Sequence, residues 1–328
     1  QVPHPGKSRG HDLFERSEHN PILTARQWPY MVNSVFNAGA TRLHSGETLL
    51  LARAEDMRGI SHLCAARSED GLTDWQIDPE PTFLSDPDRY PEETWGIEDP
   101  RITWLDAEER YAVSYTCYTV GGPGVSLAFT EDFRDFERKG MVMSPDDKDA
   151  ALFPGKFDGR WAMIHRPMSA DRPAHIWLSW SPDLRHWGDA QILIEARRGA
   201  WWDARKIGLS TPPLETDRGW LIFYHGVKTT ASGSIYRLGA ALLALEDPRE
   251  VLLRSDEWVF GPGPGYERTG DVPDVVFPCG LTIGDDCDTI YLYYGAADTR
   301  ICVATASLRE VLDWLEENGR PGGEARIL

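Results

Sequence analysis

Glu98 and Asp99 stand side by side before Pro100-Arg101, at the head of the β-pattern Ile102-Thr103-Trp104. A strand end just before a proline aims its side chains rather than packing them, so a carboxylate here is placed to give or take a proton. Taken alone, the pair reads as well as an acidic turn with Arg101 as counter-ion. Polar residues, however, recur in the same relation to an aromatic-rich hairpin. Asn33 and Ser34 precede a hairpin that ends in Arg53, and Asp99 and Tyr118, Lys148 and Arg166, and Lys206 and His225 bracket the next three. From Ser34 onward the separations are 19, 19, 18 and 19 residues, and Asp274 and Asp298 bracket a longer fifth hairpin. One strand out and one strand back returns the chain to the same face. These side chains are therefore expected to meet at one mouth and to form a site. Lys148, Arg166 and Lys206 converging there suggest a bound anion, with phosphate the common one.

The neighbours of these residues are sorted by strand alternation. Glu98 is expected to point away from Asp99 as a structural residue, and His165 to lie on the face opposite Arg166. Arg166 ends a buried strand, where an unpaired guanidinium is costly, which favours a ligand contact. Lys206 has Arg205 as a rival, and only one of the two can face the pocket. No two histidines share a ligand spacing, so no metal is expected. The prolines of Gly261-Pro262-Gly263-Pro264-Gly265 remove the N–H groups that a phosphate loop needs, leaving a rim turn. Trp95, Trp201 and Trp202 flank the motifs and suit stacking on sugar rings, although core packing explains tryptophans equally well.

The elements that must position these residues form a degenerate repeat. Its apolar second strands are Leu49-Leu50-Leu51-Ala52, Tyr111-Ala112-Val113-Ser114-Tyr115, Trp161-Ala162-Met163-Ile164, Trp220-Leu221-Ile222-Phe223-Tyr224 and Ile290-Tyr291-Leu292-Tyr293-Tyr294, each after a turn rich in Gly, Asp or Glu. Fourth strands are expected at Thr82-Phe83-Leu84, Met141-Val142-Met143, Ile192-Leu193-Ile194 and Val251-Leu252-Leu253. Four strands per repeat, five times, predict an all-β fold: a five-bladed propeller of four-stranded antiparallel blades, residues 1–328 as one domain. A two-domain β arrangement is the alternative, but no linker-like stretch supports it. The fifth repeat lacks a fourth strand of its own, which either Pro21-Ile22-Leu23 or Arg326-Ile327-Leu328 would supply. A short C-terminal helix is predicted over 307–318, with Leu308, Val311, Leu312 and Leu315 on one face.

Bulk properties exclude several classes. The net charge of -18 argues against a nucleic-acid partner. No run of about 18 apolar residues exists, so no membrane span is expected, and residues 1–20 hold no apolar signal core. The five cysteines lack a metal spacing and read as reduced and mostly buried, which favours the cytoplasm.

The ordered motifs Val32-Asn33-Ser34-Val35-Phe36-Asn37, Gly96-Ile97-Glu98-Asp99-Pro100-Arg101-Ile102, Lys148-Asp149-Ala150-Ala151-Leu152-Phe153-Pro154, His165-Arg166-Pro167, Lys206-Ile207-Gly208, Tyr224-His225-Gly226, Val276-Phe277-Pro278-Cys279-Gly280 and Tyr294-Gly295-Ala296-Ala297-Asp298 span nearly the whole chain. In these the chain resembles glycoside hydrolase family 130, the β-mannoside phosphorylases and related mannosidases, whose fold is also a five-bladed propeller. The resemblance implies a glycosyl-transferring phosphorylase: inverting phosphorolysis of a β-mannoside, β-1,4 rather than β-1,2, to α-mannose 1-phosphate and a shortened saccharide. It implies Asp99 as general acid, acting through the mannose 3-hydroxyl; a near-native rate on Asp99→Asn would move that role elsewhere, with Asp298 the next candidate. Lys148, Arg166 and Lys206 match its phosphate positions, assisted by His225 and Tyr224, while Asn33, Ser34, Arg53 and Asp298 match positions that hold the mannosyl unit. Tyr118, from its place at the mouth, is a further substrate contact. Lys148 stands where relatives carry Arg, which weakens bidentate binding without abolishing it. Inorganic phosphate is a co-substrate and no cofactor is implied. The alternatives are a hydrolase of the same family and a non-catalytic sugar-binding propeller. The acceptor, whether glucose, N-acetylglucosamine, mannose or glucuronate, is open, as is assembly into a homo-oligomer.

Overall fold

The computed structural model describes residues 12–168, 173–231 and 233–322. Five antiparallel sheets follow one another along the chain as the blades of a propeller. Blade 1 is Ser34–Arg42, Thr48–Glu55, Ser61–Ser68 and Gln76–Ile77. Blade 2 is Ile97–Leu105, Arg110–Thr119, Gly122–Thr130 and Glu137–Met143, and blade 3 is Asp147–Phe157, Arg160–Pro167, Ile176–Ser181 and Gly188–Ile194. Blade 4 is built on the long hairpin Gly219–Thr230 and Gly233–Leu243, with Val251–Ser255 outside it. Its innermost strand comes in two pieces, Lys206–Leu209 and Leu214–Thr216. Pro212 and Pro213 fall in the gap, where neither has an N–H to give the ladder. Blade 5 is Val276–Ile283, Thr289–Ala296 and Arg300–Ser307.

The ring is closed by the N-terminal segment. Leu23 and Thr24 pair with Ile301 and Arg300, and Glu15 and Arg16 pair with Thr305 and Ala304. Of the two expected closures, the one at Pro21-Ile22-Leu23 is therefore present, one residue later, and Arg326-Ile327-Leu328 lies outside the described residues. The fourth strand of blade 1 departs from expectation. It is Gln76–Ile77 rather than Thr82-Phe83-Leu84, and Phe83 makes only an isolated bridge to Leu63. The reason is a side-chain clasp: the Thr82 hydroxyl donates to Asp78 and accepts from the Ala65 N–H, so a turn interrupts the edge strand. The C-terminal helix spans Leu308–Asn318, capped by the Ser307 hydroxyl, and buries Val311, Leu312 and Leu315.

Apolar side chains from facing blades fill the space between them. Phe153, Ile164 and Leu178 of blade 3 meet Ile207, Leu209, Ile222 and Tyr224 of blade 4, all fully buried. The first strand of every blade starts, and the second ends, on one side of the ring, so the hairpins deliver their polar termini to a common mouth.

Candidate functional site

Three innermost strands carry a bulge near the mouth, between Phe36 and Gly39, Glu98 and Arg101, and Lys148 and Ala151. Asn37, Asp99 and Asp149 sit in these bulges with φ of 46°, 49° and 56°. Asn and Asp are the non-glycine residues that best tolerate this left-handed region, and a bulge re-aims a side chain that strict alternation would place elsewhere. Here it turns three short polar side chains toward the axis.

Asp99 is almost wholly buried. Its Oδ1 accepts from Asn37 Nδ2 at 2.9 Å and from Arg53 Nη1 at 3.1 Å, while Lys148 Nζ lies 3.9 Å from Oδ2. Burial by itself raises the carboxyl's pKa, but Arg53, Lys148 and Arg101 outweigh it and hold the group below its ordinary value. Asp298, with φ of 49°, is its opposite. Burial, then the charge on Asp99, push its pKa up to about 7.

Asp149, fully buried, is the hub of the second cluster. Its Oδ2 lies 2.6 Å from Arg166 Nη2 and 3.3 Å from His225 Nε2, and its Oδ1 lies 3.5 Å from Arg101 Nη2. Arg101 continues the network by donating to the carbonyls of Asp99, Leu209 and Ser210, which ties blades 2, 3 and 4 together. Burial lowers the His225 pKa to about 4 against the pull of Asp149, so the imidazole is neutral at pH 7 and offers a hydrogen bond rather than a charge. Gly208 is required for this packing: a Cβ there would fall 2.3 Å from Asp149 Oδ2 and 2.6 Å from His225 Cε1.

Arg166 is not saturated by these contacts. Nη1 donates to the Met168 thioether, a weak acceptor, at 2.8 Å, and among the described residues Nε has no hydrogen-bond partner. Lys206, half-buried at the head of its strand, lies over the Tyr236 ring at 5.5 Å. Lys148 is likewise half-buried, its charge sustained by Asp99, Asp149 and Glu98 against the cost of burial. The mouth thus sets a buried carboxylate on blade 2 beside a partly unengaged guanidinium and two ammonium groups on blades 3 and 4.

A family profile described as beta-1,4-mannooligosaccharide phosphorylase, glycoside hydrolase family 130, matches residues 7–317. The chain belongs to this family. It is 36% identical over 314 residues to a 1,2-beta-oligomannan phosphorylase from Thermoanaerobacter sp. strain X514, covering 91% of this chain and 98% of that protein. It is 32% identical to a beta-1,4-mannooligosaccharide phosphorylase from Ruminococcus albus, covering 94% and 92%. Among solved structures, the beta-1,2-mannobiose phosphorylase of Listeria innocua in complex with beta-1,2-mannobiose superposes with a TM-score of 0.83 at 29% identity, covering 93% of this chain and 99% of that one.

Within this family-130 propeller, most of the residues expected at the mouth are brought there. Arg53 bridges Asp99 and Glu98, Ser34 is buried at the head of its strand, and Asn33 donates to Asp271 at 3.1 Å. Tyr118 is half-buried, its ring 6.1 Å from that of Trp95. Arg205 is exposed, while Lys206 is half-buried against the Tyr236 ring. His165 lies apart, between Asp147 at 2.7 Å and Ser179 at 2.8 Å.

Three expectations need correction. Glu98 does not point away: its Oε1 takes Arg53 Nη2 at 3.1 Å, because the bulge at Asp99 breaks the two-residue alternation. Arg101 makes no direct salt bridge to the Asp99 carboxylate: it binds that residue's carbonyl and the Asp149 carboxylate, and acts on the Asp99 carboxyl through its charge alone. Tyr224 is not brought to the cluster around Asp149 and Arg166. Its hydroxyl lies on the other face of the strand, donating to Asp203 at 3.3 Å and accepting from Arg254 at 3.1 Å. Asn37 and Asp149 went unpredicted. Their signal was an Asn or Asp at the head of the inner strand in three successive repeats, the residue types that a left-handed bulge selects.

Proposed function

We propose that this protein catalyses inverting phosphorolysis of a β-mannoside, giving α-mannose 1-phosphate and a shortened saccharide. The observation that carries the reading is Arg166: a buried guanidinium with two nitrogens free of any oxygen acceptor among the described residues, paired across its hairpin with Lys148, whose ammonium lies 3.9 Å from Asp99. Such a set fits a tetrahedral oxyanion, to which Arg can present parallel N–H groups. His225 adds a hydrogen bond. Asn33, Ser34, Arg53 and Asp298 hold the mannosyl unit, and Tyr118 contacts the saccharide.

An inverting hydrolase needs an acid and a second carboxylate that activates water. Here Asp149 is consumed by Arg166 and Arg101, whereas phosphate is already an anionic nucleophile and needs only cations to place it. A phosphate oxygen attacks C1 on the face away from the leaving oxygen, the C1–O bond breaks, and the leaving oxygen takes its proton from Asp99. Arg53, Lys148 and Arg101 favour the ionised form of Asp99. Phosphate competes with it for Lys148, so anion binding raises the carboxyl's pKa and lets it carry the proton that hydrogen phosphate supplies. No cofactor takes part.

The β-1,4 linkage belongs to the proposal through the family profile, and the 36% identical relative named for β-1,2 chains sets its competitor. The test is turnover of β-1,2- and β-1,4-mannobiose with and without phosphate. Turnover indifferent to phosphate defeats the phosphorylase reading, and binding without turnover makes the protein a lectin-like propeller. Asp99→Asn should cut the rate by about 10²–10⁴-fold while phosphate still binds.

A further inference from the structure

In an inverting displacement the nucleophile and the leaving group lie on opposite faces of the anomeric carbon. The anion cluster belongs to blades 3 and 4. Across the ring lies the boundary of blades 1 and 2, where Gly96 bridges Ser61 of blade 1 and places Trp95 on the rim. Trp95 is 49% exposed, though nothing about its backbone is loose. Its N–H donates to the Tyr118 carbonyl at 3.0 Å, and the Tyr118 N–H donates to the Gly96 carbonyl at 3.1 Å. Gly96 has φ of 102°, and a Cβ there would lie 2.7 Å from the Ser61 carbonyl oxygen, so the turn admits no other residue without shifting. The preceding turn is anchored by Glu93, fully buried and bonded to the Tyr115 hydroxyl at 2.7 Å. Two further exposed apolar side chains stand on turns of the same two blades, Met57 of blade 1 at 67% and Val120 of blade 2 at 79%. A rigid indole tilted 39° against the Tyr118 ring, four residues before the acid, offers contact area at little entropic cost.

We propose that Trp95, supported by Tyr118, is the platform on which the leaving saccharide stacks, and that it selects a neutral gluco- or manno-configured pyranose able to lay a CH face on the indole. Arg53, on the same side of the mouth, is already engaged by Glu55, Glu98 and Asp99, which leaves it no share for an acidic sugar such as a uronate. The proposal rests on the phosphorylase reading and deepens it. The Trp95 side chain fills no interior space, so its removal leaves the fold in place.

The experiment compares wild type, Trp95→Ala and Trp95→Phe in the synthetic direction, with α-mannose 1-phosphate as donor and mannose, glucose, N-acetylglucosamine or glucuronate as acceptor. Trp95→Ala should raise the KM for its best acceptor about 10- to 100-fold, the range of a hot-spot aromatic. The KM for mannose 1-phosphate should stay within about twofold, and Trp95→Phe should recover most of the loss. An unchanged acceptor KM, a best acceptor that is glucuronate, or an oligomer that dissociates on Trp95→Ala at constant acceptor KM overturns the proposal. Calorimetric titration of wild type and Trp95→Ala with mannobiose separates the two readings. If wild type makes no mannose 1-phosphate but loses mannobiose affinity on Trp95→Ala, the phosphorylase reading fails and the platform stands; equal affinities sink the platform alone.

Discussion

At the scale of single residues, the site is a matter of which charges are already satisfied. Arg166 has one nitrogen on Asp149 and two without an oxygen acceptor among the described residues, so an incoming anion meets donors that need not be taken from elsewhere. Arg166→Ala should therefore raise the phosphate KM by about 30- to 1,000-fold, equivalent to about 2–4 kcal/mol, and leave the mannoside KM nearly unchanged. Arg205→Ala, at an exposed side chain, should do neither; separate phosphate and mannoside titrations of both variants check this. Asp298 gives a pH signature. Its pKa rises from an ordinary 3.8 to about 7, so between those values the folded chain keeps a proton that the unfolded chain has lost. Stability from this group is full below the lower value and falls as pH rises through the upper one. Asp298→Asn removes that slope, so its Tm should gain on wild type from about pH 4 to about pH 8; parallel curves would refute the assignment. Much of this was legible from residue type and spacing. Tyr224 was misplaced although the period of two that turns His225 inward already turns its neighbour outward.

At the scale of elements, the bulge is the device the sequence hid. Alternation reads Glu98 and Asp99 as opposed, yet both reach Arg53 because the chain turns left-handed at Asp99. The same turn at Asp149 carries its carboxylate into the ring, where it fixes Arg166, Arg101 and His225 from three blades. No propensity announces that a strand-forming stretch will spend one residue on a bulge; only the repeated Asn or Asp hints at it. Asp149→Asn keeps the shape and removes the charge, leaving two buried guanidinium groups without their shared carboxylate. It should cost about 3–5 kcal/mol in denaturant unfolding and weaken phosphate binding at the same time. A variant with native stability and native phosphate affinity would show that the hub is not structural support for the anion site.

At the scale of the whole molecule, closure depends on a strand from the far end of the chain. Arg16, on the closing segment, places Nε 2.7 Å and Nη2 2.9 Å from the fully buried Glu267, which also accepts from the Tyr294 hydroxyl and the Gly263 N–H. Arg16→Ala leaves that carboxylate short of its cation and should lower stability by about 2–4 kcal/mol, read as a shift of the denaturant midpoint. The need for closure could be read from a fifth repeat short of one strand, but the Arg16–Glu267 latch, joining residues 251 apart, could not. Nor does the net charge of -18 disclose an anion site. The proposed site rests on one ring gathering cations that the sequence scatters over two blades.

The central claim is that those cations make phosphate, not water, the nucleophile. One ³¹P and ¹H NMR time course on enzyme, phosphate and the better mannobiose tests it. The account predicts loss of inorganic phosphate in one-to-one step with release of the reducing sugar, and an α-configured mannose 1-phosphate as the first product. Free mannose accumulating while inorganic phosphate stays constant would contradict it.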